Sequence, residues 1–146
     1  MDRFQWITKN VAMPEVDIAL LEQWISAVAL DHGKQAHELT YIFCDDEEIL
    51  RVNRQYLQHD YYTDIITFDY TRGKMLRGDM YISLDTVRTN AETVGATYGD
   101  ELHRVIIHGI LHLFGINDKG PGEREIMEMN EDKALEMLHS LVNEQS

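Results

Sequence analysis

One cysteine among 146 residues leaves no partner for an intrachain disulfide, so the fold must be held by its core. Cys44 sits in the apolar run Leu39-Thr-Tyr-Ile-Phe-Cys44, where a lone thiol serves as a small core residue. Proline occurs only twice, at Pro14 and Pro121, and no stretch is rich in Pro, Gly or Ser, so nothing reads as a linker, a repeat or a low-complexity tract. The opening Met-Asp-Arg-Phe-Gln-Trp has neither the basic start nor the apolar stretch of a secretory signal. No apolar run approaches the roughly 20 residues that a bilayer requires. These absences read as a cytoplasmic protein with no membrane partner. Basic residues are scarce too: 13 Lys and Arg face 26 Asp and Glu, a formal net charge of −13. That balance argues against coating nucleic acid through a broad basic surface. The deficit is uneven, however. Residues 51–77 hold five basic side chains against three acidic ones, and residues 120–146 hold two against seven, which leaves room for a local RNA contact.

The remaining composition, 44% hydrophobic and 27% charged, is that of one soluble globular domain spanning residues 1–146. After Pro14, the spacing of Ile18, Leu21, Ile25 and Val28 predicts a helix over about 15–30, followed by a strand over about 38–44. Asp45 is a predicted N-cap with Glu48 three residues on, and Ile49, Val52 and Tyr56 are expected to face inward along the helix it starts. Two strand-like runs follow, Asp64–Tyr70 and Gly78–Leu84, which read as an antiparallel pair. A helix over about 85–96 comes next, then an apolar helix over about 100–114 and the loop 115–122. The closing helix has Ile126, Met129, Met137 and Leu141 as its expected inner face. The fold class is α+β: a small mixed sheet packed with about five helices, carrying a metal site on a buried helix.

His108 and His112 are four residues apart, so on a helix they lie one above the other and can grip one metal ion. Val105, Ile106, Ile107, Ile110, Leu111, Leu113 and Phe114 make that helix apolar almost all round, which carries the histidines into the interior. Gly115 can take the left-handed conformation that ends a helix and turn the chain back, presenting Asp118 as a third ligand. Three protein ligands with a fourth position open mark a catalytic rather than a structural zinc site. The plain alternative is a pair of core histidines above an ordinary helix cap. Zinc peptidases with similar offsets place a glutamate after the first histidine as general base. Here that residue is Gly109, which cannot take a proton, and a peptidase becomes the weaker reading.

The segment His108-Gly-Ile-Leu-His112-Leu-Phe-Gly115 resembles the signature of the YbeY family, His-Gly-x-Leu-His-Leu-x-Gly-Tyr-Asp-His. The resemblance extends to Asn53-Arg-Gln-Tyr-Leu57 with Thr63-Asp-Ile-Ile-Thr-Phe68, and to Gly78-Asp-Met-Tyr-Ile-Ser83. It implies one α+β domain holding one zinc and a single-strand endoribonuclease that matures the 3′ end of small-subunit (16S) ribosomal RNA. The ribosomal RNA and the small subunit would then be its partners. By motif position His108 and His112 carry over as metal ligands and catalytic residues, and the third histidine falls on Asp118, a harder, anionic donor. The family's arginine after Asn-x-x-Tyr falls on Leu57, so Arg54 or Arg51 would have to meet the substrate phosphate. A ribosome-assembly factor with a structural zinc and negligible nuclease activity is the alternative.

Arg104 lies one turn before His108 and is a candidate phosphate contact, with an ion pair to Asp100 or Glu101 as its more ordinary role. His103, about 140° round the helix from His108, reads as structural. Asp64 and Asp79 read as caps or turn anchors. The acids of the closing helix, Glu123, Glu125, Glu128, Glu131 and Glu136, read as a solvated face.

Overall fold

The computed structural model describes residues 3–57 and 63–145. Its elements are β1 (Arg3–Lys9), α1 (Ile18–Asp31), β2 (Gln35–Cys44), α2 (Asp46–Val52) with a turn of π-helix over Asn53–Leu57, β3 (Ile65–Asp69), β4 (Met75–Ser83), α3 (Leu84–Val94), α4 (Tyr98–Leu113) and α5 (Glu123–Gln145). The sheet order is β1-β2-β4-β3. β1 and β4 both run parallel to β2, and β3 is antiparallel to β4, with Ile65 opposite Ile82 and Asp69 opposite Gly78. The α+β class and the antiparallel β3–β4 pair agree with the sequence reading.

β1 has no counterpart in that reading. Its exposed and half-buried residues alternate, and the half-buried Trp6 stacks on Tyr41 of β2 with centroids 4.8 Å apart. Helix α1 begins at Ile18 rather than near residue 15, because the Asp17 carboxylate accepts the Leu20 N–H at 3.1 Å and caps it there. The Asp45 cap forms as expected, accepting the Glu48 N–H at 2.9 Å. Tyr56 does not face inward: the α-helix gives way to π-helical geometry at Asn53, the rotation changes, and Tyr56 is left 57% exposed. Of the expected inner face of α5, Met137 and Leu141 pack against the core, but its first half is displaced. Ile126 and Met129 are 52% and 61% exposed, while Met127, Glu131, Ala134 and Leu138 turn inward.

Helices α1, α3, α4 and α5 share one core on one sheet face, where Trp24, Tyr41, Phe43, Met80, Ile82 and Ile106 are fully buried. Cys44, Ile49, Val52 and Ile66 form a smaller cluster on the opposite face, so the thiol is a core residue as expected. Two buried hydrogen bonds tie the helices down: Trp24 Nε1 donates to the Ala134 carbonyl at 2.7 Å, and the Tyr41 hydroxyl donates to the Ile106 carbonyl at 2.9 Å. Each buried apolar side chain on α4 contributes on the order of 1.5–3 kcal/mol, enough to hold the helix in the interior despite the histidines it carries. Among the described residues, no helix is long and apolar enough to cross a membrane.

Candidate metal centre

Helix α4 runs across β3 and β4, and Gly109 lies at the crossing. A Cβ there would sit 2.9 Å from Ile65 Cδ1 and 3.2 Å from Met80 Cγ. The missing side chain lets the helix approach the sheet and leaves His108 and His112 over the end of β3. At the C-terminus of α4, Gly115 takes φ +91°, the Gly115 N–H donates to the His112 carbonyl at 2.9 Å, and the Ile116 N–H donates to the Leu111 carbonyl at 3.2 Å. This paired closure is the one that a left-handed glycine permits. It folds the following residues back over the helix end and brings the Ile116 backbone beside the ring of His112.

The same reversal delivers Asp118. Its Oδ2 lies 3.2 Å from His108 Nε2 and 3.6 Å from His112 Nε2, and one donor atom from each residue falls within 4.8 Å of the others. Two ligands of a tetrahedral ion with bonds of about 2.0–2.2 Å stand roughly 3.4 Å apart, so the donor set and its spacing fit a zinc-type ion. The two imidazoles meet edge to face at 4.6 Å between centroids, so each can offer a nitrogen without stacking on the other.

His108 Nδ1 is 2.6 Å from Glu131 Oε2 on α5. Glu131 is only 5% exposed, so its place on a solvated face is corrected: the turn of α5 that carries it points inward. The same carboxylate takes a 2.8 Å hydrogen bond from Arg104, whose other terminal nitrogen reaches Asp132 at 2.7 Å. Arg104 therefore pairs across to α5, with neither Asp100 nor Glu101, and two carboxylates occupy its guanidinium. Burial works against a charged His108, but the hydrogen bond and charge of Glu131, with Asp118 and Asp64, outweigh it and hold its pKa above the ordinary histidine value. His112 is held below that value by burial and then by the neighbouring His108.

The metal-binding group opens into a groove of about 410 Å³, walled on one side by Leu57 and on the other by Thr63 to Thr67 and Asp69. Lys119 is the one lysine or arginine in this wall among the described residues. Arg54 lies elsewhere, on a separate groove beside Arg51 and Glu48, because the π-helical turn that points Leu57 at the metal group sends Arg54 away. Arg51 is engaged by Glu48 and Gln55. Asp64 stands just before β3, where its carbonyl accepts the Ser83 N–H at 2.9 Å and extends the antiparallel ladder with β4. Its carboxyl also enters the groove wall, where burial raises its pKa and the nearby His108 partly offsets this. Asp79 is not at a strand end: it sits mid-β4, opposite Phe68 and beside Thr40. His103 packs edge-on to Trp24 at 6.0 Å, a structural position as expected.

The sequence reading missed Glu131 and Lys119 as parts of this site. For Glu131 a signal existed: a glutamate interrupting the apolar spacing Met127, Ala134, Leu138 is out of place unless it has a buried partner.

Fold and site together define a small α+β protein with a helix-borne group of two histidines and an aspartate able to hold a metal ion. The chain belongs to the endoribonuclease YbeY family, whose pattern it matches over residues 6–139. It is 68% identical over 130 residues to an endoribonuclease YbeY of Bacteroides thetaiotaomicron, covering 89% of this chain and 95% of that protein. It is 46% identical over 142 residues to one of Porphyromonas gingivalis, covering 97% and 94%. A solution structure of a Thermotoga maritima protein shares the fold with a TM-score of 0.68 at 24% identity, covering 98% of this chain and 93% of that one.

Proposed function

We propose that this chain is a metal-dependent endoribonuclease that cuts single-stranded RNA in maturing the 3′ end of small-subunit (16S) ribosomal RNA. In this reading residues 1–146 form one domain that works in the cytoplasm on the ribosomal precursor. The observation that carries it is the convergence of His108 Nε2, His112 Nε2 and Asp118 Oδ2 beside an open groove, in a chain of this family. One zinc per chain, held by these three residues, is the proposed cofactor. When bound, such an ion supplies Lewis acidity toward a phosphodiester and toward water.

The chain's own residues do the rest. His108 keeps a proton on Nδ1 and offers Nε2, while Asp118 supplies a charge that lowers the net positive charge of the centre. Lys119, rather than Arg54 or Arg104, is the better candidate to meet a substrate phosphate: it stands in the groove wall, Arg54 lines a separate groove, and Arg104, although it lines a smaller cavity with His108 and Asp118, is engaged by Glu131 and Asp132. Leu57 and Ile65 offer apolar surface to a base in a strand that is not paired, and Asp69 can take hydrogen bonds from ribose or base. Gly109 leaves no room for the base of a peptidase.

Leu57 in the groove wall, where the family motif has an arginine, favours one second reading: an assembly factor that binds the small subunit and cleaves slowly. The experiment that separates them incubates the purified chain with a single-stranded RNA spanning the precursor 3′ end, with zinc or with chelator. Zinc-dependent cutting supports the nuclease. Binding without cutting, together with rescue of a depleted strain by a His112→Ala chain, would select the assembly factor.

A further inference from the structure

The metal-binding group is built on α4 and the loop after it, yet its most buried charged neighbour comes from α5. Glu131 places Oε2 2.6 Å from His108 Nδ1 and Oε1 2.8 Å from an Arg104 nitrogen, and Arg104 continues to Asp132 at 2.7 Å. A carboxylate in this position is costly to bury, and such a group persists where its oxygens have charged or hydrogen-bonding partners. Both oxygens of Glu131 are so engaged, one by the histidine and one by the arginine.

We propose that Glu131 is the positioning residue of the metal centre, with Arg104 compensating its buried charge. The proposal rests on the metal-dependent reading above. The carboxylate accepts the Nδ1–H of His108, which leaves Nε2 without a proton and facing Asp118 and His112. An imidazole free to rotate, or carrying its proton on Nε2, would present a hydrogen or a carbon to the ion. The partner of the non-coordinating nitrogen sets both the tautomer and the ring orientation, and losing such a partner typically lowers metal affinity about 10- to 100-fold. The Gly115 turn brings the Ile116 backbone beside the ring of His112, whereas His108 is held from behind by a side chain 23 positions further along the chain. The α4–α5 contact thereby becomes a condition for the centre, even though α5 contributes no ligand. Glu131 does not touch substrate in this arrangement and acts through His108.

The test uses the full-length chain in four forms: parent, Glu131→Gln, Glu131→Asp and, as a control on the exposed face of α5, Glu136→Gln. Zinc affinity is measured against a competing chelator, and the imidazole nitrogens of His108 are observed by NMR in the metal-free protein at alkaline pH, above the raised pKa of His108, where the ring is neutral. The parent and Glu136→Gln should show His108 with Nδ1 protonated and Nε2 bare, and should bind zinc equally. Glu131→Gln, which keeps the volume but loses the charge, should bind zinc about 10- to 100-fold more weakly and show a mixture of tautomers. Glu131→Asp should recover part of the affinity at most, being one methylene shorter. Folded Glu131→Gln protein with zinc affinity within twofold of the parent and an unchanged His108 signature would overturn the proposal. A parent chain that cleaves RNA equally well with zinc removed would instead sink the metal-dependent reading, and the tautomer comparison would still decide what Glu131 does to His108.

Discussion

A Cβ atom on Gly109 would lie 2.9 Å from Ile65 Cδ1, so the residue after the first histidine is a glycine because α4 and β3 meet there. Two effects oppose each other on Gly109→Ala. Helix propensity favours alanine by up to about 1 kcal/mol. Overpacking costs about 1–3 kcal/mol, and the atoms met are the mobile ends of Ile65 and Met80, which places the cost toward the lower end. Gly109→Ala should therefore lose less than about 2 kcal/mol. Gly109→Glu should lose roughly 3 kcal/mol or more, because it buries an unpaired carboxylate in a core contact. Chemical denaturation of both variants measures this, and a stable Gly109→Glu protein would show that the crossing is looser than described.

Asp118 should behave as a ligand. Asp118→Ala is expected to weaken zinc binding more than 100-fold, beyond the range of about 10- to 100-fold usual for outer partners. Asp118→His should retain binding and Asn117→Ala should be near neutral. Thermal stability gives a second readout: zinc at about 100 times its Kd should stabilise the parent by about 2.7 kcal/mol and Asp118→Ala hardly at all. Tight binding by Asp118→Ala with loss in Asn117→Ala would move the third ligand by one residue.

Lys119→Gln should raise KM for single-stranded RNA several-fold with kcat little changed, and should flatten the dependence of binding on salt, as expected for losing one phosphate contact. Arg54→Ala should leave both parameters near the parent values, since Arg54 lines a different groove. The opposite result, a raised KM in Arg54→Ala alone, would place the RNA path over α2 instead.

His103 gives a pH dependence of known sign. Burial against Trp24 holds its pKa below the ordinary histidine value in the folded protein. The unfolded chain therefore binds the proton more readily, and the stability tied to the neutral ring is present above about pH 6.5 and is lost as pH falls through the folded value. Denaturant unfolding of metal-free protein between pH 7.5 and 5 should show the parent losing more stability on acidification than His103→Gln. Parallel curves for the two proteins would mean that the ring is not desolvated as the packing implies.

The amino-acid sequence by itself determined the parts of this protein whose geometry is local. Four residues on a helix place His108 over His112 whatever surrounds them, a glycine is the residue that tolerates φ +91° at position 115, and the three residues to Asp118 are just long enough to bring its carboxylate back. The antiparallel β3–β4 pair was legible for the same reason, since a short connection joins two runs of strand-forming residues. What lay beyond reach depended on how one element is rotated against another. Each residue turns a helix by about 100°, and α5 carries apolar side chains on more than one face, so Ile126 and Met129 looked as suitable for the core as Met127 and Leu138. Only packing against α1 and α4 chose between them, and that choice took Glu131 out of solvent and put it behind His108. One turn of π-helix likewise decided that Leu57 and not Arg54 would face the metal group. The tertiary structure alone settled which charges stand beside the ligands, because the apolar spacing around Glu131 signals a buried acid but does not name its partner, which is 23 residues away.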